Sequence, residues 1–484
     1  MPVSPGPRLG LATLTLSALL TTTAYAQTAR MTGTVIDSTT AVVPGATVTI
    51  VNAESNDKRV AVSNERGQYN VPFLPSGRYT ATCELQGFQT IRREGIVLET
   101  DQEVRIDFDL QPGAVTESVL VVGTPVLAAD TSSLGQVVTG QTISDLPLNG
   151  RNFLQLARLA TGVLESAAGD RAAEGGAFVA NGARSVLNSF MLDGVDNNAR
   201  IVDQQNSSNV VTQPSVDALS EFSIQTNNFS AEYGQAAGAV INATIRSGTN
   251  RFRGVGFEFL RNDAFDARNP FAAPSEDKRL KRHQYGGTLG GPIRKDHTFF
   301  FASLEITDEQ RGTDYRNTVP SAAERGGDFS SFRNNQGRPV IIYDPATTRP
   351  NPNGAGVIRD PFPNNRIPAS RIHPLAAKLL SMLPHPNLPD LTGNYVVTRD
   401  ASRMRRQMDS RVDHGFSTNS KLYVRYSLTD RDDRIPGPYD APLIGTTQFQ
   451  QAVKDQVAHS IAIGQTQVLG ANREIGRASC RERV

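Results

Sequence analysis

From about residue 250 onward, apolar and polar residues alternate over stretches of about ten residues, and this pattern restricts the folds open to the chain. Successive side chains of a strand point to opposite faces, and a tilted strand of about that length crosses a bilayer. In residues 298–306 the polar positions are Ser303 and Glu305, which we expect to face a lumen. The positions that we expect to face lipid are Phe300, Ala302, Leu304 and Ile306.

Six such stretches follow one another, with connections that alternate in length. The short connections are residues 294–297 and 417–420, and the long ones are residues 262–282 and 307–407. Short turns on one side and long loops on the other are typical of outer-membrane barrels. Residues 251–473 are therefore predicted to form the first strands of an antiparallel outer-membrane β-barrel with long extracellular loops. The stretches are residues 252–261, 285–293, 298–306, 408–416, 421–428 and 456–469.

Residues 27–113 have a different pattern, in which short alternating runs are separated by Gly, Pro and Asn. This spacing is typical of an all-β sandwich. The chain as a whole is therefore predicted to be mainly β. The runs are residues 33–37, 43–52, 67–80, 87–90 and 104–110.

Residues 1–26 have the layout of a secretory signal peptide. Arg8 precedes an apolar run at residues 9–20, and an A-x-A motif ends at Ala26. Cleavage is expected between Ala26 and Gln27, which makes this an exported protein. The apolar run is shorter than the about 20 residues that a helix needs to span a bilayer.

The composition argues against several classes of function. The 49 basic and 48 acidic residues nearly balance, so the chain lacks the basic excess of a nucleic-acid-binding protein. Its six histidines show no metal-ligand spacing, and its two cysteines, Cys83 and Cys480, are too few and too far apart to suggest a disulfide framework. No GxSxG, P-loop or HExxH motif is found. We therefore expect no enzyme, no catalytic residues, no bound metal and no cofactor.

Several motifs follow one another between the two β regions. They are LPLNGRNF at residues 146–153, NGAR at 181–184, LDGV at 192–195, VDALSEF at 216–222 and FSAEYGQAAGAVINATIRSGTN at 229–250. In this order they resemble the plug domain of TonB-dependent outer-membrane transporters, in the Oar-like branch that has a carboxypeptidase regulatory-like domain before the plug. The resemblance implies an α+β plug at residues 114–250. It also implies that the sandwich at residues 27–113 is noncatalytic, with a transthyretin-like or carbohydrate-binding-like fold.

Residues 117–123, ESVLVVG, link the sandwich to the plug. An extended β-branched segment with free backbone groups suits strand addition by a partner. The resemblance implies a TonB box, but the same residues also fit the last strand of the sandwich or the first strand of the plug. The candidate TonB contacts are Glu117, Ser118, Val119, Leu120, Val121 and Val122.

Solute contacts are expected in two polar plug loops without periodicity, residues 170–176 and 197–209. The long loop at residues 307–407 is a second candidate, because a connection of that length is unusual unless it is functional. The candidate solute-contacting residues are Asp170, Arg171, Asn197, Asn198 and Arg200.

The LDGVDNN segment contains Asp193, Asp196 and Asn197, which suggest a calcium loop at first sight. The later glutamate of an EF-hand is missing. A turn held by Asx hydrogen bonds is therefore the preferred interpretation.

Residues 474–484, EIGRASCRERV, break the alternation. They resemble the translation of a sequencing adapter, and a genuine short charged tail is the alternative. A barrel large enough to hold a plug needs about 22 strands. We therefore expect this chain to be an N-terminal fragment of a longer protein.

The resemblance implies TonB-dependent active transport of a large or scarce solute across the cell outer membrane, with the N-terminal domain in the periplasm. The implied partners are TonB with its inner-membrane energising complex, outer-membrane lipid and an unidentified solute. Two alternatives stay open, a signalling receptor of the same architecture and a secreted carbohydrate-binding or adhesion protein.

Overall fold

The computed structural model describes residues 29–100, 102–113, 118–122, 133–165, 177–199, 210–229, 233–234, 236–267, 279–334, 336–440, 452–470 and 473–483. The predicted signal peptide and its cleavage site at Ala26 and Gln27 lie outside these residues.

The first nine strands form a β-sandwich, called the sandwich below. They are β1 (Ala29–Asp37), β2 (Thr47–Asn52), β3 (Lys58–Val62), β4 (Gln68–Leu74), β5 (Gly77–Glu84), β6 (Thr90–Leu98), β7 (Glu103–Arg105), β8 (Phe108–Leu110) and β9 (Ser118–Val122). One sheet has the order β4-β1-β7, with β8 also paired to β1, and the other has the order β3-β2-β5-β6-β9. The two sheets enclose a core of their own.

Alternate side chains from both sheets fill this core, because neighbouring residues of a strand point to opposite faces. Met31, Ile50 and Phe108 are fully buried. The ring centroids of Tyr69 and Phe108 lie 5.9 Å apart, and the Tyr69 hydroxyl donates to the carbonyl of Ile106 at 2.7 Å. The one polar atom of this aromatic pair is thus hydrogen-bonded inside the core.

A smaller α+β unit follows, called the central unit. Its elements are β10 (Leu134–Thr139), α1 (Gly140–Asp145), β11 (Val163–Glu165), β12 (Phe178–Ala180), β13 (Ser189–Leu192), β14 (Val195–Asp196), β15 (Leu219–Asn227) and β16 (Val240–Ile245). The main sheet has the order β10-β15-β16-β13-β14, and β11 and β12 form a separate pair.

A 3-10 helix at Phe153–Leu159 begins at the last residue of the LPLNGRNF motif. Phe153 and Leu156 are three residues apart, which is one turn of such a helix, and both are buried in the core of the central unit. Leu159, one turn further on, is 46% exposed.

Seven of the remaining strands of the described residues form a long antiparallel sheet, called the long sheet, and β20 and β21 form a separate pair. Its order is β17-β18-β19-β22-β23-β24-β25, and its outermost strands β17 and β25 are not paired with each other, so the sheet is open. The elements of this part are β17 (Arg253–Asn262), β18 (Leu280–Arg294), β19 (Thr298–Asn317), α2 (Ala322–Arg325), β20 (Arg349–Pro350), β21 (Val357–Ile358), α3 (Pro374–Met382), β22 (Tyr395–Ser417), β23 (Ser420–Ile435), β24 (Ala452–Gly470) and β25 (Arg473–Arg483).

The long sheet has seven strands where the sequence predicted about six. The additional strand is β25, which pairs with β24. Most of its residues lie in the segment 474–484, where the alternation was expected to end. The origin of residues 474–484 as an adapter sequence stays a prediction. None of the helices among the described residues is long and apolar enough to cross a membrane.

The two faces of the long sheet follow the predicted alternation. Ser303 and Glu305 are 3% and 2% exposed, whereas Leu304 between them is 47% exposed. The fold class is thus confirmed as mainly β, with an N-terminal sandwich, an α+β central unit and an open antiparallel sheet.

The prediction for the longest loop was wrong at both ends. Strand β19 continues to Asn317 and β22 begins at Tyr395. The connection is therefore residues 318–394 rather than 307–407, and it contains the β20-β21 pair and the helices α2 and α3.

At the other end of the sheet, β18 and β19 are joined by residues 295–297, and β22 and β23 by residues 418–419. We call that end the short-turn end.

Replacing Phe108 by Ala is expected to lower the free energy of unfolding of the sandwich by about 3–5 kcal/mol, because it leaves a cavity in the core. Val60→Ala is the matched control, at a position that is 53% exposed, and should change the stability by less than about 0.5 kcal/mol. Urea unfolding, monitored by hydrogen exchange of the sandwich amides, measures the change in stability for both variants. Equal effects of the two substitutions would contradict this core.

Candidate functional site

The central unit lies against the inward face of the long sheet, and this face is polar. Buried polar and charged groups need partners, since an unpaired one is costly. Some of these groups pair with each other on the sheet, such as Arg431 with Asp433. Others have partners in the central unit, in the three contacts described next. The buried polar residues of the inward face in the described part of the chain are Gln284, Ser303, Glu305, Glu309, Gln407, Asp409, Arg425, Ser427, Arg431, Asp433 and Ser460.

The first contact is an ion-pair cluster around Asp193. This residue sits in the turn between β13 and β14 with a φ of 52°, and its Oδ1 accepts hydrogen bonds from the Ile245 amide at 2.9 Å and from Arg411 Nη1 at 3.1 Å. Its Oδ2 lies 2.9 Å from Nε of Arg425. Arg411 and Arg425 are directly opposite each other on β22 and β23. One carboxylate of the central unit thus binds two adjacent strands of the long sheet.

Both arginines have further partners on the sheet. Arg411 pairs with Asp413 at 2.9 Å, and its guanidinium lies 4.7 Å from the ring centroid of Tyr423. Arg425 is fully buried and donates to the Ser427 hydroxyl at 2.7 Å. Hydrogen bonds that fix the guanidinium planes hold the two arginines ready for Asp193.

This arrangement corrects part of the interpretation of the LDGVDNN segment. The Asx turn is formed by Asp196, whose Oδ1 accepts from the Asn198 amide at 2.9 Å. Asp193 instead reaches β16 and the long sheet. Its side chain was misassigned because its partners are distant in the sequence.

The second contact is made by Arg151 of the LPLNGRNF motif. Its Nη2 lies 2.5 Å from Asp217 of the central unit, and its Nε lies 3.3 Å from Glu305 of the long sheet. The guanidinium is 4.5 Å from the ring centroids of both Phe257 and Phe259. The cation is therefore held by two carboxylates and two aromatic faces.

The same loop contacts the neighbouring strand. Arg282 donates to Oδ1 of Asn149 at 3.2 Å, and Gln284 donates to the carbonyl of Gly150 at 3.3 Å. The sequence identified the motif but did not reveal these roles, because none of its sheet partners is near it in the chain.

The third contact centres on Gln213. Its carbonyl accepts from Gln407 at 2.6 Å, its Oε1 accepts from Arg405 at 3.1 Å, and its amide donates to the Thr429 hydroxyl at 3.1 Å. Its side-chain nitrogen also donates to Asn152 of the central unit at 3.0 Å. Gln213 therefore uses both its backbone and its side chain to bind β22 and β23.

A cavity of about 560 Å³ lies where the sandwich, the central unit and the short-turn end of the long sheet meet. It is lined by residues of all three parts, including Asn52, Arg246, Arg253, His297 and Tyr423. Within the described residues, no group of three or more His, Cys, Asp or Glu side chains is placed to hold a metal ion.

The predicted TonB-contact residues Ser118, Val119, Leu120, Val121 and Val122 form β9, which pairs in parallel with residues 90–94 of β6 at the edge of the sandwich. Glu117 lies outside the described residues. The backbone arrangement matches the alternative in which this segment is the last strand of the sandwich.

Two of the predicted solute-contacting residues are described. Asn197 is 3% exposed, and its side chain donates to the Thr212 carbonyl and accepts from the Thr212 amide, each at 2.9 Å. Asn198 accepts from the Phe190 amide at 2.9 Å. Both side chains thus stabilise the central unit.

The other three predicted solute-contacting residues are Asp170, Arg171 and Arg200, and they lie outside the described residues. The role of this whole set in solute binding stays a prediction.

Replacing Asp193 by Asn is expected to destabilise the docking of the central unit by about 3–5 kcal/mol, because it leaves buried arginine charge without its counter-charge. Asp196→Asn is the matched control, since Asp196 is in the adjacent strand β14 and is exposed. Limited proteolysis of the central unit in a urea series measures the difference. Equal protease sensitivity of the two variants would contradict the role of Asp193.

Comparisons with known proteins agree with this architecture. Residues 30–111 match the family described as carboxypeptidase regulatory-like domain, and residues 244–473 match the family described as outer membrane beta barrel domain. Over 301 residues the chain is 29% identical to the TonB-dependent transporter Oar of Myxococcus xanthus, a match that covers 58% of this chain. The chain spans only 27% of the length of that relative.

Two solved structures are also similar. The outer membrane transporter YddB from Escherichia coli has a TM-score of 0.44 and 11% identity, over 70% of this chain and 37% of that protein. The siderophore receptor PirA from Acinetobacter baumannii has a TM-score of 0.42 and 13% identity, over 72% of this chain and 40% of that protein.

The matched families place the protein in the outer membrane. The chain is thus homologous to Oar over 301 residues, and it combines a carboxypeptidase regulatory-like domain with an outer membrane beta barrel domain.

Proposed function

We propose that the complete protein actively transports a large or scarce solute across the outer membrane, with the central unit as a plug that TonB displaces. The relation to Oar supports this function. The observation that carries the proposal is the polar interface between the central unit and the inward face of the long sheet.

The central unit has an apolar core of its own, to which the long sheet contributes Phe301 among the described residues. Its contacts with the sheet are otherwise dominated by the ion pairs and hydrogen bonds of Asp193, Arg151 and Gln213. When such an interface opens, water solvates the charges on both sides. When the unit leaves the sheet, Phe301 is the described residue of this core that stays behind, so most of the core stays covered.

TonB would bind the segment at residues 117–123. Strand β9 is the last strand of its sheet, so its outer side has no neighbour within that sheet. A free edge suits the addition of a partner strand. The short-turn end, like the short turns of other outer-membrane barrels, would face the periplasm, where TonB acts.

Solute would enter from the opposite side, where the connection at residues 318–394 lies. The proposed contacts are this connection and the polar loops of the central unit, with Asp170, Arg171, Asn198 and Arg200 as candidates. Binding and release in this mechanism make or break no covalent bond, so no enzymatic step is included.

Removing the backbone donors of β9 is expected to abolish uptake and to leave solute binding intact. In the complete protein, Val119→Pro with Val121→Pro removes two backbone N–H groups without shortening the chain. Val119→Ala with Val121→Ala is the matched control, because it keeps those groups. Uptake and binding by whole cells are measured with a panel of labelled ferric siderophores, cobalamin, oligosaccharides and peptides.

Uptake at the control level in the proline variant would refute TonB contact at this segment. Binding without uptake in the wild type, together with ligand-dependent transcription, would instead favour the signalling receptor.

A further inference from the structure

We propose that the sandwich clamps the central unit to the long sheet at the short-turn end, and that it has to detach there before the central unit can move. The inference builds on the proposed transport function, and it assigns a role to the regulatory-like domain. It rests on two separate contacts that the sandwich makes, one with the sheet and one with the central unit.

The first contact is made by the turn between β2 and β3, residues 53–57. Glu54 forms an ion pair with Arg253 at 3.2 Å, and Asp57 forms one with Lys421. These partners are at the ends of β17 and β23 that lie at the short-turn end. The turn therefore contacts strands on both sides of β19 and β22.

The same turn also contacts the connection between β18 and β19. Asn56 donates from Nδ2 to Oδ1 of Asp296 at 3.1 Å. Asn56 has a φ of 57°, and Asn52 accepts from the Glu54 amide at 2.9 Å within the turn. An Asx hydrogen bond and a left-handed asparagine fix the shape of the turn before it meets the sheet.

The second contact joins the turn between β6 and β7 to β15 of the central unit. The amide of Thr100 donates to Oε2 of Glu221 at 2.6 Å, and the Thr100 hydroxyl donates to the same oxygen. Glu221 is 7% exposed. Burial raises the pKa of Glu221, and the hydrogen bonds from Thr100 oppose that rise. The sandwich thus supplies donors for a buried carboxyl group of the central unit.

The sandwich makes both contacts, one with the long sheet and the other with the central unit. The central unit cannot shift along the long sheet while both contacts hold. All the groups named are polar, so water can replace each partner after detachment. Strand β9 belongs to the same sandwich, so a force on that strand also acts on the domain that makes the clamp.

The first test measures the clamp without any solute. In the full-length protein in lipid nanodiscs, Asp57→Lys should increase the exchange rate of the Thr100 amide and of the Ile245 amide, which is bound to Asp193, by about tenfold or more. The double variant Asp57→Lys with Lys421→Glu reverses the charges and should restore the wild-type rates. Glu65→Lys is the matched control in an exposed turn of the same sandwich.

An unchanged Ile245 amide in Asp57→Lys would overturn the clamp, because the sandwich would then not stabilise the contact between the central unit and the sheet. This result is independent of transport. If the wild type takes up no member of the solute panel, the proposed function fails, and the exchange rates still decide whether the clamp exists.

The second test fixes the clamp in the closed state. Cysteines at Asn56→Cys and Asp296→Cys are joined in cells by a short methanethiosulfonate crosslinker, which a reductant removes. Uptake should stop on crosslinking and return on reduction, while each single variant with crosslinker should keep the wild-type rate. Full uptake by the crosslinked protein would show that the sandwich need not detach.

Discussion

The ion pairs between Asp193 and the arginines at positions 411 and 425 determine how the two largest parts of this protein fit together. Arg425 is fully buried on the inward face of the long sheet, where a guanidinium without a carboxylate would be costly. Asp193 lies in a turn of the central unit and meets that need across two strands at once. The central unit and the sheet are thus complementary in charge.

The Arg151 and Gln213 contacts likewise pair polar groups of the central unit with polar groups of the sheet. Arg151 carries a positive charge from the central unit to Glu305 of the sheet, whereas Asp193 carries a negative charge to arginines of the sheet. Opposite signs at two places fix the orientation of the central unit, because a shifted position would bring like charges together. An interface of this kind is specific when closed, and both surfaces are solvated when it opens.

The alternation of residues predicted the faces of the long sheet, because the period of two is a property of each strand alone. It therefore placed Ser303 and Glu305 inward and Leu304 outward, as found. The strand ends were missed where β22 begins, because YVVTRDASRMRR has polar residues on both faces. In the sandwich, β3 and β6 were missed for a similar reason, since KRVAV and TIRREGIVL lack a clean alternation.

The partners of Asp193 and Arg151 could not be predicted from the sequence. Asp193 is 218 residues from Arg411, and Arg151 is 154 residues from Glu305. Local patterns indicated an Asx turn and a family motif at these positions. Pairing across such distances depends on the register of the long sheet and on the placement of the central unit against it. No local pattern of residues indicates either of them.

The most direct measurement is solute uptake by the full-length protein in which the central unit is tethered to the sheet. The hydroxyls of Ser215 and Ser303 lie 3.5 Å apart across the interface, so Ser215→Cys with Ser303→Cys places two thiols where a disulfide can form. We expect uptake to stop when the pair is oxidised and to return on reduction, with normal uptake in both single variants. Wild-type uptake by the oxidised pair would contradict a central unit that has to leave the sheet.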